Sequence, residues 1–426
     1  MRLPFYNPII VLLAGLLSAA LTGNATGPNG TRDLTRDGPV SDGIFPGTNR
    51  MEAVFVELGD YLGTGLLQKS KQELERAISD LDKMVEAAPQ DAMVRHRRGV
   101  HHLVLQQWGD ALPDFDAILR LNPDDGLAYF ARGVLHFERG EFQQSASDLG
   151  EALRILPKDT LARSQQAHVT LRSLRGGAYL RLGEYERAIA DFAEAIGLSP
   201  GEARLYCDRG TAYDRKGATE EAMKDYEATL RIEPTNLVAL HNRGRIHYER
   251  GQLESAVRDY TKALEVEPKD FISYLNRAGA FIDLGDLGKA VADLNEAIRL
   301  DSRSESALEN RGYAHTLQRD PDKAIRDSTE VLRINPTNSH AYFNRGRLLH
   351  LEKGQPETAI KDFTKAIELE PSQAHFYFGR AMAWSARGEA AKSINDYRQT
   401  LRLSPDHASA ANDLAWLLAT SPESSL

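Results

Sequence analysis

The residues of this chain whose type and spacing could do chemistry form rows. Asn242, Asn276, Asn310 and Asn344 recur every 34 residues, and Asp208 stands one interval ahead of them. A carboxamide is both donor and acceptor, so a row of them can grip an extended backbone without reading its sequence. The residue after each asparagine belongs to a longer row of arginines: Arg98, Arg132, Arg175, Arg209, Arg243, Arg277, Arg311, Arg345 and Arg380. Sixteen residues after each of these, seventeen in one copy, comes an aspartate: Asp114, Asp148, Asp191, Asp225, Asp259, Asp293, Asp327, Asp362 and Asp396. The planar guanidinium fork can hold a carboxylate at two points. Pairs such as Arg243 with Asp259, Arg277 with Asp293 and Arg311 with Asp327 are expected to fix structural register more than to add stability. A charged strip for a ligand is the other use this pattern allows.

Catalytic constellations are missing. The chain has no His-Glu-x-x-His, no phosphate-binding Gly-x-x-x-x-Gly-Lys-Ser/Thr and no Gly-x-Ser-x-Gly. Gly63-Thr64-Gly65 lacks a third glycine, and the adjacent His101 and His102 point to different sides of a helix, a poor metal pair. The single cysteine, Cys207, excludes an internal disulfide framework and a cysteine zinc site. The reading is therefore of a non-enzyme with no cofactor and no metal. A net charge of −9 and the absence of a Lys/Arg stripe argue against nucleic acid. The composition, 42% hydrophobic, 27% charged and 8% aromatic, suits a soluble helical protein.

The elements that must position these rows follow from a repeat. A small residue marks the same point in each copy: Gly99, Gly133, Gly176, Gly210, Gly244, Ala278, Gly312, Gly346, Ala381 and Ala415. A proline closes most copies 24 residues later, as at Pro123, Pro234 and Pro268. Such a period means stacked supersecondary units that cannot bury their apolar faces alone. Within residues 237–270, apolar positions recur at three- and four-residue intervals in two stretches separated by a turn near Gly251. That is a helical hairpin. Gly244 on its first helix and Ala256 on its second fall near one level, where small side chains let the axes approach. Large residues four further on, among them Phe115, Phe192, Tyr226, Tyr260 and Phe363, are expected to fill the space between hairpins.

This recurring order of Gly, Ala, aromatic and Pro resembles the tetratricopeptide repeat family. The resemblance covers nine repeats over 92–407, after a degenerate repeat at 58–91 and before a terminal half-repeat at 408–426, so that 51–426 reads as one array. It implies an all-α fold, a right-handed superhelical solenoid of stacked antiparallel helical hairpins, whose first helices line a concave groove. The asparagine row is then similar to the ladder in the repeat superhelix of O-linked N-acetylglucosamine transferases. Flanking groove positions would be His241, Arg245, Tyr313, Phe343, Arg347 and Phe378, suited to apolar or acidic side chains. The lysines of the family's two-carboxylate clamp are absent. Nine extra residues between Pro157 and Gly176, with Leu161, His168, Leu171 and Leu174 at helical spacing, read as a lengthened first helix. Either a bend in the array or a tolerated protrusion would accommodate them. The ending, with Trp416, Leu417 and Leu418, would cap the stack or stay partly bare; it resembles endings of bacterial members of the family.

At the other end, the apolar run Ile9 to Leu21 is short for a membrane span and is followed by small residues. Residues 1–25 read as a signal peptide or a short anchor, and 26–50 as a flexible linker rich in Gly, Thr, Asn and Pro. The expectation is an exported (periplasmic, secreted or luminal) scaffold that binds extended segments of protein partners. Membrane contact would come only through an uncleaved N-terminus. The alternative is a structural component of an envelope or secretory-compartment assembly, working through the convex face and the termini.

Overall fold

The computed structural model describes residues 69–156 and 161–420, with side chains of the second stretch from 165 onward. The leader, the linker, the start of the degenerate repeat and the last six residues lie outside these. The described residues form twenty α-helices and no strand. In chain order they are α1 (Lys71–Ala87), α2 (Ala92–Val104), α3 (Trp108–Leu121), α4 (Gly126–Glu138), α5 (Phe142–Ile155), α6 (Leu161–Arg181), α7 (Tyr185–Leu198), α8 (Ala203–Lys216), α9 (Thr219–Ile232) and α10 (Leu237–Glu249). There follow α11 (Leu253–Val266), α12 (Phe271–Asp283), α13 (Leu287–Leu300), α14 (Glu305–Leu317), α15 (Pro321–Ile334), α16 (Ser339–Leu351), α17 (Pro356–Leu369), α18 (Ala374–Ala386), α19 (Ala390–Leu403) and α20 (Ala408–Thr420). The chain divides between Arg243 and Gly244 into two compact units, and within each, consecutive helices pack against one another. None of the described helices is long and apolar enough to cross a membrane.

Local signals set the helix ends. Ser70 and Glu73 close a capping box on α1, and Asp91, Asp125, Asp270, Ser304 and Asn338 cap first helices by accepting from backbone N–H groups. The turn inside each hairpin needs a left-handed residue. Gly217 supplies it at φ +84°, whereas Gln106 and Arg319 hold φ near 58° without glycine's freedom.

Each hairpin is closed by three contacts. The marking glycine comes first: a Cβ at Gly99 would lie 2.9 Å from Phe115, and one at Gly244 would lie 2.9 Å from Tyr260. The aromatic residue therefore seats on the small residue of its own hairpin, not only between hairpins as the sequence pattern had it. Phe363 does both, since a Cβ at Gly346 or at Gly379 of the next first helix would collide with it. Second, the small residue twelve after the mark meets the mark's backbone: Ser145 Oγ donates to the Gly133 carbonyl at 2.8 Å, and Ser393 Oγ to that of Ala381 at 2.8 Å. Third, the arginine before the mark grips the buried aspartate of the second helix. Arg132 Nε and Nη2 reach Asp148 at 2.7 and 2.9 Å, and Arg277 reaches Asp293 at 2.7 and 2.8 Å. Arg311 reaches Asp327 at 3.1 and 2.6 Å. Arg243 and Asp259 fall on opposite sides of the division between the units.

The insertion is a helix. At 21 residues, α6 exceeds its neighbours. Its added part lies over the end of α7, with Gln165 Nε2 donating to the Leu198 carbonyl at 2.6 Å and Gln166 Nε2 contacting Glu202 at 3.4 Å. His168, Leu171 and Leu174 are buried.

Removing one partner of a buried ion pair leaves an uncompensated charge, a loss of about 3–5 kcal/mol. Arg311→Met is therefore expected to raise hydrogen exchange through α14 and α15 sharply, and Arg311→Met with Asp327→Leu to do so much less. Gly99→Ala, which overlaps Phe115, should cost about 1–3 kcal/mol in thermal unfolding. Gly109→Ala, with nothing within 4 Å, should be neutral or mildly stabilising.

Candidate functional site

Three consecutive positions on each first helix point in three directions, because successive residues of an α-helix turn by about 100°. The last of the three is the arginine, and it is engaged by the aspartate of its own hairpin. Beyond its own aspartate, in most copies, though not for Arg175 or Arg209, its remaining N–H group crosses to the preceding hairpin. Arg98 Nη1 reaches Asp82 at 2.9 Å, Arg132 Nη1 reaches Asp116 at 2.7 Å, and Arg277 Nη1 reaches Thr261 at 3.0 Å. Arg311 Nη1 meets Asn295 at 2.7 Å, and Arg380 Nη1 meets Thr364 at 3.2 Å. A tyrosine three residues earlier often covers the guanidinium, as Tyr129 does for Arg132 at 5.6 Å and Tyr342 for Arg345 at 5.6 Å. Hydrogen bonds donated to the aspartate carboxylates push the Arg132, Arg175, Arg209 and Arg345 guanidiniums above their ordinary range. The signal for this bridge was present: an acceptor side chain recurs sixteen residues before most of these arginines.

The middle position is the asparagine row. In the first unit Asn242 is buried, and its Nδ2 has no hydrogen-bond partner. In the second unit Asn276 is half-buried, Asn310 is buried with an unpartnered Nδ2, and Asn344 is exposed. None of the four side chains makes a hydrogen bond among the described residues. They differ in this from the arginines beside them.

The first of the three positions faces the start of the next first helix. His96 Nε2 meets Asp125 at 3.2 Å, the Cys207 thiol meets Asn236 Oδ1 at 3.8 Å, and Glu309 Oε1 accepts from Asn338 Nδ2 at 2.9 Å. Each of these contacts spans 29 residues. Phe343 occupies the same position and packs on His375 at 4.8 Å, Phe376 at 5.3 Å and Phe363 at 5.7 Å. Phe378 stacks on His407 at 4.5 Å and lies 5.8 Å from Tyr397. These two rings are half-buried and built into contacts between repeats. Of the other flanking residues, His241 and Arg347 are half-buried, Arg245 pairs with Glu249 on its own helix, and Tyr313 is 41% exposed. Sequence reasoning passed over Glu309, the one acidic residue in this row. Among the described residues no group of His, Cys, Asp and Glu is arranged to hold a metal ion.

A family model described as tetratricopeptide repeat matches residues 96–160, 161–236, 241–305, 280–339 and 348–397, and a second model of the same description matches 329–361. No curated protein matches the chain. Among solved structures, the chain is similar to the C-terminal part of a tetratricopeptide-repeat protein from Cytophaga hutchinsonii, at 19% identity, 56% of this chain, 98% of that one and a TM-score of 0.49. It is also similar to a tetratricopeptide repeat protein from Parabacteroides merdae, at 19% identity, 59% and 99% coverage and a TM-score of 0.45. A third is YrrB, described as having an unusual peptide-binding site, at 17% identity, 44% and 96% coverage and a TM-score of 0.39.

Burial pushes the Cys207 thiol well above its ordinary pKa, and at 3% exposure it is shielded from reagents. A thiol-labelling time course is expected to show no modification of native protein and one labelled cysteine per chain in denaturant.

Proposed function

This chain belongs to the tetratricopeptide repeat family, and on that premise we propose that its asparagine row grips the backbone of extended partner segments. The family supplies the coarser statement: the protein is a protein–protein interaction scaffold, and its repeats are of a generally non-catalytic kind. The observation that carries the finer reading is the contrast between adjacent rows. Every paired arginine of the described hairpins is committed to the fold, whereas the amides one residue earlier are committed to nothing. A buried donor without a partner costs about 1–3 kcal/mol, a cost that a bound segment's carbonyl would relieve. Asn344 is open to such a segment at once, whereas the Asn310 amide is covered and would have to be uncovered for binding.

A second reading, assembly through the termini, is favoured by α20, where Trp416 is 64% exposed and Leu418 45%. In either case we place the activity in an exported compartment, on the strength of the apolar run and small residues that precede the linker.

Peptides selected by the full chain from a random display library provide the test. Each Asn→Ala change should weaken a selected peptide roughly three- to tenfold, the size of one net hydrogen bond of about 1 kcal/mol. The fourfold variant should lose binding with its helix content intact. Equal binding by the fourfold variant would sink the reading, and loss of self-association or partner assembly on Trp416→Ala would favour the second.

A further inference from the structure

Glu309 is out of keeping with its row. The copies before and after it carry Leu275 and Phe343 at the same position. Glu305 stands one turn earlier on α14, and both carboxylates are held by amides alone. Asn338 Nδ2 donates to Glu305 Oε2 at 3.0 Å and to Glu309 Oε1 at 2.9 Å, and Asn335 Nδ2 donates to Glu305 Oε2 at 3.0 Å. Asn338 cannot turn away to leave them, because its Oδ1 caps α16 by accepting from Ala341 N at 2.8 Å. Among the described residues neither carboxylate is in an ion pair. The buried aspartates of the second helices whose pairing lies within one unit are by contrast each clasped by an arginine, and the nearby Arg311 is spent on Asp327 and Asn295. Burial, with Glu305 adding to it, pushes the Glu309 carboxyl above its ordinary range, and His340 is the one charge that opposes the shift.

Two further residues lie within one turn of Glu309 along α14. Tyr313, one turn beyond Glu309, presents a ring that is 41% exposed. Asn310, the next residue after Glu309, is 95% buried by its 5% exposure and keeps an unpartnered Nδ2. Glu305, Glu309 and Tyr313 fall at i, i+4 and i+8, one line along the helix.

We infer that this line is a subsite for a cationic side chain, arginine or lysine, of the bound segment, an inference that rests on the peptide-binding reading above. The head group would lie against Glu309 and Glu305, and its aliphatic stem across Tyr313, an arrangement that combines an ion pair with an apolar and cation–π surface. The Asn310 amide would serve the carbonyl of the same residue or its neighbour. Arginine fits better than lysine, because its fork presents donors to two carboxylates at once. The flanking Leu275 and Phe343 make this the one charge-selective position between two apolar ones, so it sets the register of the segment along the row.

The test uses the full chain in parallel selections from a random peptide library: wild type, Glu309→Gln and the fourfold asparagine variant. Arginine or lysine is expected to be enriched at one peptide position by wild type and not by Glu309→Gln. For a selected peptide, norleucine at that position should weaken wild-type binding at least tenfold and leave Glu309→Gln binding within about twofold. Enrichment that survives Glu309→Gln, or norleucine peptides bound as tightly as the parents, would overturn the subsite. In that event, loss of binding in the asparagine variant would still uphold the groove. Peptides indifferent to the asparagines, or no selected peptide at all, would overturn both. Should Glu309→Gln lose helix content, the norleucine comparison on wild type decides alone.

Discussion

The clasp of a guanidinium on a buried carboxylate inside each hairpin is the contact on which the other arrangements lean. A charge taken out of water must be compensated, so an arginine and an aspartate that are both shielded can exist only in a geometry that joins them. That requirement sets the level of the second helix against the first. The close approach of the helices at the marking glycine then follows, with the aromatic ring seated where a Cβ would collide. The arginine also extends past its own hairpin to an acceptor on the preceding one, so the group that sets register within a hairpin also ties that hairpin to its neighbour.

Where that bond recurs, first helices are presented in a similar way and neighbouring positions acquire comparable duties. The arginine serves the hairpin. The residue two before it reaches the start of the following first helix, through a hydrogen bond in the case of His96 or Glu309 and through ring packing in the case of Phe343 or Phe378. The asparagine between them serves neither. In the four copies that carry asparagine, the side chain at the middle position makes no hydrogen bond within the described fold, whereas Leu174 and Ala131 at the same position are packed in the core. Asparagine stands there in four consecutive copies, Asn242 to Asn344, and these amides are the ones the proposed binding draws on.

Variation within the row that joins first helices is informative for the same reason. Leucine or phenylalanine at this position contributes packing. A carboxylate contributes little packing and adds a desolvation cost, which Asn338 offsets only in part, as the raised Glu309 shows. Tolerance of such a group between Leu275 and Phe343 is intelligible if a partner completes its environment.

The sequence by itself determined the repeat, the helical hairpin, the small-residue contact at Gly244 and the opposition of Arg277 to Asp293, because each depends on spacing along one chain and is written many times over. It also displayed the asparagine row. The tertiary structure alone decided how that row is graded from buried Asn310 to exposed Asn344. It also decided that Phe343 and Phe378 are spent on contacts between repeats, and that Glu309 and Glu305 share one amide 29 and 33 residues ahead of them. These depend on how one hairpin is set against the next. That orientation comes from packing across many side chains together, and no short-range pattern of residue types encodes it.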